Sequence, residues 1–238
     1  MIVVSLTSWV KRIGSVKRVV ESIMDNTLQP DKVYLNLSKT EFNGIELPQD
    51  LVDYFNSDER LIINWVDGPN TKAMKKIFPI LDYLQDDDII IDADDDILFP
   101  KDFIESRVSD FNKYKCCITS NTHMSVGFNH KMRVVSAMSL FQKKMFGHWK
   151  RFLTQEIINT NNDDRTYLTL MWLNGYLNMS CSKWSIHDLL KSEYNIDPGF
   201  SLSSTKTIKT GRIYDRIAQV EFNKISDKQI INSFGFWK

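Results

Sequence analysis

Apolar positions in this chain come in short dry runs separated by longer amphipathic stretches. IVVSL, residues 2–6, has no polar side chain beyond one serine and predicts a buried strand. Across 15–26 the apolar residues fall at 16, 19, 20 and 23, which is helical spacing. KVYLNLS, residues 32–38, alternates as a strand does, and 47–58 reads as a helix with Pro48 in its first turn. RLIINWVD, 60–67, is a third strand, 71–84 is a third helix kinked at Pro79, and DIIIDADDD, 88–96, is a fourth strand with its exit.

The strand exits fall near residues 8, 38, 67 and 96, a step of about thirty residues, the length of one βαβ unit. Such a series predicts an α/β fold, with a mostly parallel central sheet flanked by helices. In open sheets of this kind, ligands bind beyond the carboxyl ends of the strands. Thr7, Ser8 and Trp9 stand there on the first strand, Asp67 on the third, and Asp94, Asp95 and Asp96 on the fourth.

Beyond residue 100 the step is lost. Residues 103–114 read as a helix and 116–121 as a strand, and 161–175 reads as a capped helix ending at Gly175. Residues 122–160 carry aromatic and basic side chains without a clear period, Trp149 among them. The polar run 201–212 reads as a loop whose Lys206, Lys209 and Arg212 could close over an anion, and 226–234 as a last helix.

The composition is that of a globular protein, 42% hydrophobic and 25% charged over 238 residues, and the formal net charge of zero gives no sign of a nucleic-acid partner. Three cysteines without metal-binding spacing are expected as reduced, buried thiols. No basic n-region opens the chain, and no window approaches the ~20 apolar residues of a membrane helix. The expectation is a cytoplasmic protein with at most peripheral contact at the inner face of the membrane.

Most of the chemistry lies in DDDIIIDADDDILFP, residues 86–100, with seven aspartates. Asp86, Asp87 and Asp88 precede the strand and read as a solvated turn. Asp94, Asp95 and Asp96 follow it and run into the apolar ILFP, so burial there favours a hard divalent cation, Mn²⁺ or Mg²⁺, over a plain acidic turn. An EF-hand fails, because Ile97 and Phe103 stand where Gly and Glu are required. A haloacid-dehalogenase-like phosphatase remains an alternative, with Asp92 as nucleophile and Asp94 as acid, although Asp96 replaces its usual Thr or Val. The third candidate is the DXD motif of nucleotide-sugar glycosyltransferases.

Taken in order, IVVSLTSWVKRI, QPDKVYLNLSKTEF, LPQDL, TKAMKKIFPIL, DDIIIDADDDILFP and NNDDRTYLTLMWLNGY resemble bacterial GT-A-type glycosyltransferases close to glycosyltransferase family 2. That resemblance implies a single GT-A domain over 1–238, with 1–100 as nucleotide-binding half and 101–238 as acceptor-binding half. It implies metal-dependent transfer from a nucleotide-diphosphate sugar, UDP-linked, to an acceptor hydroxyl with inversion. The acceptor would be a glycan or lipid-linked glycan in surface polysaccharide or lipopolysaccharide assembly. Asp94 and Asp95 would hold the ribose and the metal–diphosphate, Asp95 foremost as metal ligand, with Asp96 in support and His187 as a late third ligand. Thr7, Ser8, Trp9 and Arg12 would line the nucleotide pocket. Asp164, or its neighbour Asp163, would be the general base. A non-catalytic nucleotide-sugar-binding module is a further alternative.

The residues themselves support some of these roles. A guanidinium at Arg12 matches phosphate geometry. Lys72, at the start of the third helix, would join its backbone N–H groups in attracting an anion, with Lys75 and Lys76 on the same face. Asp163 and Asp164 would also simply complement a helix dipole after an Asn cap. His123, His130 and His148 carry no motif of their own.

Overall fold

Seven strands form one sheet in the order β3-β2-β1-β4-β6-β5-β7. This computed structural model describes residues 1–120, 138–176, 178–191 and 193–196. The expected loop at 201–212, the helix at 226–234, and His123 and His130 lie outside the described residues. The strands are β1 (Ile2–Thr7), β2 (Lys32–Ser38), β3 (Leu61–Val66), β4 (Ile89–Ala93), β5 (Cys117–Thr119), β6 (Leu140–Gln142) and β7 (Asn178–Ser180). The helices are α1 (Val16–Met24), α2 (Gln49–Asn56), α3 (Phe103–Tyr114), α4 (Trp149–Phe152), α5 (Gln155–Thr160), α6 (Asp163–Leu173) and α7 (Ile186–Leu189).

β1 to β4 are mutually parallel, as the thirty-residue step predicts. β6 enters antiparallel between β4 and β5, and β7 runs parallel to β5. The two central strands are dry on both faces, with Val3, Val4, Leu6, Ile90, Ile91 and Ala93 all 0% exposed. This is why they read as apolar runs rather than alternating ones. α1 covers one face through Val16, Val19, Val20 and Ile23. An aromatic cluster of Phe78, Phe141, Phe146 and Tyr167 fills the region under α6, and Trp149 stacks flat on Phe78 with ring centroids 5.2 Å apart.

Two expectations need correction. Residues 71–84 are not one kinked α-helix but two 3-10 segments, Lys72–Lys76 and Phe78–Tyr83. Lys72 has a left-handed backbone, φ +56°, and Pro79 offers no N–H, so α-helical pairing is interrupted at the start and the middle. The segment lies against the sheet, with Met74 to Phe78 all buried. In the turn before β4, Asp86 and Asp87 are exposed as expected and pair with Lys143 and Lys144, but Asp88 is buried, 7% exposed, and accepts from the Gln85 backbone N–H at 2.8 Å.

Candidate active site

The chain leaves β1 toward β2 on one side of it, and returns to place β4 on the other. Strand order therefore reverses between β1 and β4, and a crevice must open beyond their carboxyl ends. A cavity of about 390 Å³ lies there. Thr7, Ser8, Trp9 and Arg12 reach it from the β1 exit, and Asp94, Asp95 and Asp96 from the β4 exit. Lys72, Lys75 and Lys76 line it from the 3-10 segment, Glu41 and Asn70 from beyond β2 and β3, and Asn161, Asp163 and Asp164 from the start of α6. Ten sequence-nominated residues, widely separated in the chain, thus share one cavity.

Two basic side chains organise the acids. After β1 the chain turns tightly, the Arg12 N–H donating to the Trp9 carbonyl at 2.9 Å, and this folds Arg12 back under the crevice. Its Nη1 donates to Oδ1 of Asp95 at 2.7 Å and lies 3.1 Å from Oδ2 of Asp96. The Ser8 hydroxyl donates to the other Asp95 oxygen at 2.6 Å. Burial raises the Asp95 carboxyl above its ordinary value, against the pull of Ser8 and Arg12. Asp96, partly buried and beside Asp94, is pushed up to about 6.

Lys76 is the second organiser, and sequence reasoning gave it no role of its own. It is 8% exposed, and its ammonium contacts Oδ1 of Asp94 and lies 2.8 Å from Oδ2 of Asp163. Burial works against its charge, but Asp163, Asp94, Asp92 and Asp164 outweigh that, so the ammonium is held well above the ordinary lysine range. The backbone beneath is fixed from the sheet. The Ser5 hydroxyl and the Asn36 amide both donate to the Lys76 carbonyl, Asn36 also donates to Ser5 Oγ at 2.9 Å, and Asn64 donates to Asn36 Oδ1 at 2.7 Å. Three polar side chains thus cross β1, β2 and β3 to hold one turn. From the other side, the Tyr167 hydroxyl of α6 donates to the Ala73 and Met74 carbonyls at 3.3 Å.

The remaining lysines differ from expectation. The Lys72 N–H donates to Asn70 Oδ1 at 2.8 Å, so it is not an open anion-binding end, although its exposed side chain lines the rim. Lys75 is buried beside Asn70 and Glu41, with Oε2 of Glu41 at 3.3 Å; burial lowers its pKa and Glu41 opposes that.

Two nominated residues are not brought to the cavity. Asp67 is exposed and pairs with Lys39 at 2.9 Å, because β3 is an edge strand two places from the reversal. His187 is exposed on α7, after the opposite edge strand β7, and does not line the cavity. Asp92, the nucleophile of the phosphatase alternative, is 1% exposed and accepts the Ser139 N–H at 2.5 Å, fastening β4 to the chain entering β6. It does not line the cavity, and a nucleophile must touch its substrate, so that alternative has no structural basis.

Among the described residues, no three or more His, Cys, Asp or Glu side chains converge as a metal cage. Both Asp95 oxygens accept hydrogen bonds, one from Ser8 and one from Arg12. Asp94 and Asp96 each turn one oxygen to a protein cation, through Oδ1 and Oδ2 respectively. Such hard oxygen donors fit a small divalent ion held by one or two carboxylates, with ligand phosphates completing its shell.

No protein-family model and no curated protein sequence matches the chain. Solved structures do. S. aureus TarS 1-349 superposes with a TM-score of 0.61 at 10% identity, over 99% of this chain and 72% of that one. The same TarS fragment in complex with UDP gives 0.53 at 10% identity, over 76% of this chain and 60% of that one. The Pyrobaculum calidifontis mannosyltransferase PcManGT, in complex with GDP-Man and Mn²⁺, gives 0.58 at 13% identity, over 94% of this chain and 63% of that one. The fold is therefore that of the GT-A-type glycosyltransferases, and the chain spans 60% of the UDP-bound TarS chain.

Proposed function

We propose that this chain is a glycosyltransferase that moves a sugar from a nucleotide-diphosphate sugar to an acceptor hydroxyl. One observation carries the reading: two groups of carboxylates, at the β4 exit and at the start of α6, meet across the cavity where strand order reverses. The GT-A fold supports it, since solved neighbours are complexes with UDP, with UDP-GlcNAc and with GDP-Man and Mn²⁺.

In this reading Asp94 and Asp96 hold a divalent cation, Mn²⁺ or Mg²⁺, whose charge offsets that developing on the leaving diphosphate. Ser8 and Arg12 fix Asp95, and through it the β4 exit, in one arrangement. Lys72 meets the phosphates from the rim. Asp164 takes the proton from the acceptor hydroxyl as that oxygen attacks the anomeric carbon, so the sugar transfers with inversion. Asp163 is the alternative base, and its carboxylate faces the Lys76 ammonium at 2.8 Å. A UDP-linked donor and an acceptor among surface glycans or lipid-linked glycans complete the proposal. None of the helices among the described residues is long and apolar enough to cross a membrane.

A thermal-shift screen of UDP-, GDP- and dTDP-sugars, each with and without Mn²⁺, tests the reading. Stabilisation by one donor class, larger with Mn²⁺, is expected. No shift with any nucleotide sugar would refute it.

A further inference from the structure

Six carboxylates and four basic side chains line this cavity. Lys76 answers that excess at one point. Its ammonium stands between Asp94, which belongs to the donor side of the proposed reaction, and Asp163, which belongs to the acceptor side. It cannot swing out to solvent without leaving its pocket, since the side chain is only 10% exposed and the carbonyl beneath is held by Ser5 and Asn36. Arg12 plays the corresponding part for Asp95 and Asp96. Each half of the acidic exit therefore carries its own fixed positive charge.

We propose that Lys76 is the resident counter-cation of this cavity, holding Asp94 and Asp163 in register, and that its ammonium competes with a divalent cation for Asp94. The inference rests on the glycosyltransferase reading for the diphosphate, but the competition at Asp94 is measurable without any nucleotide. Displacement does not strand the ammonium. It keeps Asp163, and its freed N–H can donate to a diphosphate oxygen. Cation and diphosphate accordingly bind better together than either does alone. Lys76 acts as a positioning residue, tying the base-bearing end of α6 to the donor site.

The test is Mn²⁺ binding to the full chain, followed by electron paramagnetic resonance and calorimetry. Lys76→Met should bind Mn²⁺ at least tenfold more tightly than the wild type, because Asp94 has lost its competitor. Lys76→Arg, which keeps the charge, should bind as the wild type does, and Asp94→Asn should lose the site. Loss of a buried cation can unfold a protein, so Lys76→Met combined with Asp163→Asn provides a second variant with a smaller unbalanced charge, and the same tightening is expected. A merely structural lysine predicts the opposite, weaker binding as the cavity loosens. Unchanged or weaker Mn²⁺ binding in either folded variant overturns the proposal, as does the absence of Mn²⁺ binding in every variant. UDP, GDP and dTDP are then titrated into the wild type with Mn²⁺ present. If none of them binds while the Mn²⁺ pattern holds, the glycosyltransferase reading falls and the competition at Asp94 stands.

Discussion

Asp96 shows how the site depends on pH. Its carboxyl rises from 3.8 to about 6, first because it is partly buried and next because Asp94 lies beside it, with Arg12 opposing. The native state therefore binds a proton that the unfolded chain releases between about pH 4 and 6. Stability falls as pH rises through that window, and above it the penalty is complete, about 3 kcal/mol. Asp96→Asn should stabilise the protein at pH 7.5 and leave it almost unchanged near pH 4, as read by urea denaturation at both values. An equal effect at both would contradict this account. The same residues show what sequence can convey. DADDDILFP announces an acidic strand exit, but cannot say that Ser8 and Arg12 occupy both Asp95 oxygens. Lys76 was hidden for a similar reason: a lysine directly before a proline-bearing apolar run reads as surface until tertiary contacts bury it.

Among the elements, the segment 72–83 determines the site. Its apolar period is real, yet the left-handed Lys72 and Pro79 divide it into 3-10 turns that lie deeper than a surface helix would. What fixes it is the ladder Ser5–Asn36–Asn64, three polar residues inside otherwise apolar strands. Within the sequence they look like minor interruptions of a strand pattern, and only the parallel register of β1, β2 and β3 reveals a common purpose. Asn36→Ala removes donors from a buried carbonyl and should cost about 1–3 kcal/mol, measured by denaturant unfolding. It should also weaken donor binding, because the Lys76 backbone loses an anchor. A loss of stability with unchanged donor binding would separate the ladder from the site.

For the whole molecule, the legible part is the part with a repeating step. β1 to β4 and their crossovers announce themselves every thirty residues, and the reversal of strand order between β1 and β4 then locates the cavity. β5 is legible as the apolar run at 116–121, but β6 and β7 have three residues each, too few for an alternating pattern to emerge, so the antiparallel entry of β6 had no signal. Asp67 is nominated on strand position alone and His187 on the family resemblance alone, and the sheet order carries both toward its edges. Asp163 and Asp164 reach the cavity because α6 returns across the crevice, which their spacing in the sequence does not disclose.

The most direct measurement is release of nucleoside diphosphate from a panel of nucleotide sugars, with Mn²⁺, by the wild type, Asp164→Asn and Asp92→Asn. Even without its acceptor, a glycosyltransferase slowly passes the sugar to water. One donor class should yield nucleoside diphosphate with the wild type. Asp164→Asn should be slowed about 10²–10⁴-fold while still binding that donor. Asp92→Asn, if it folds, should retain turnover. Release from no donor, or release that depends on Asp92 and not on Asp164, would contradict the account.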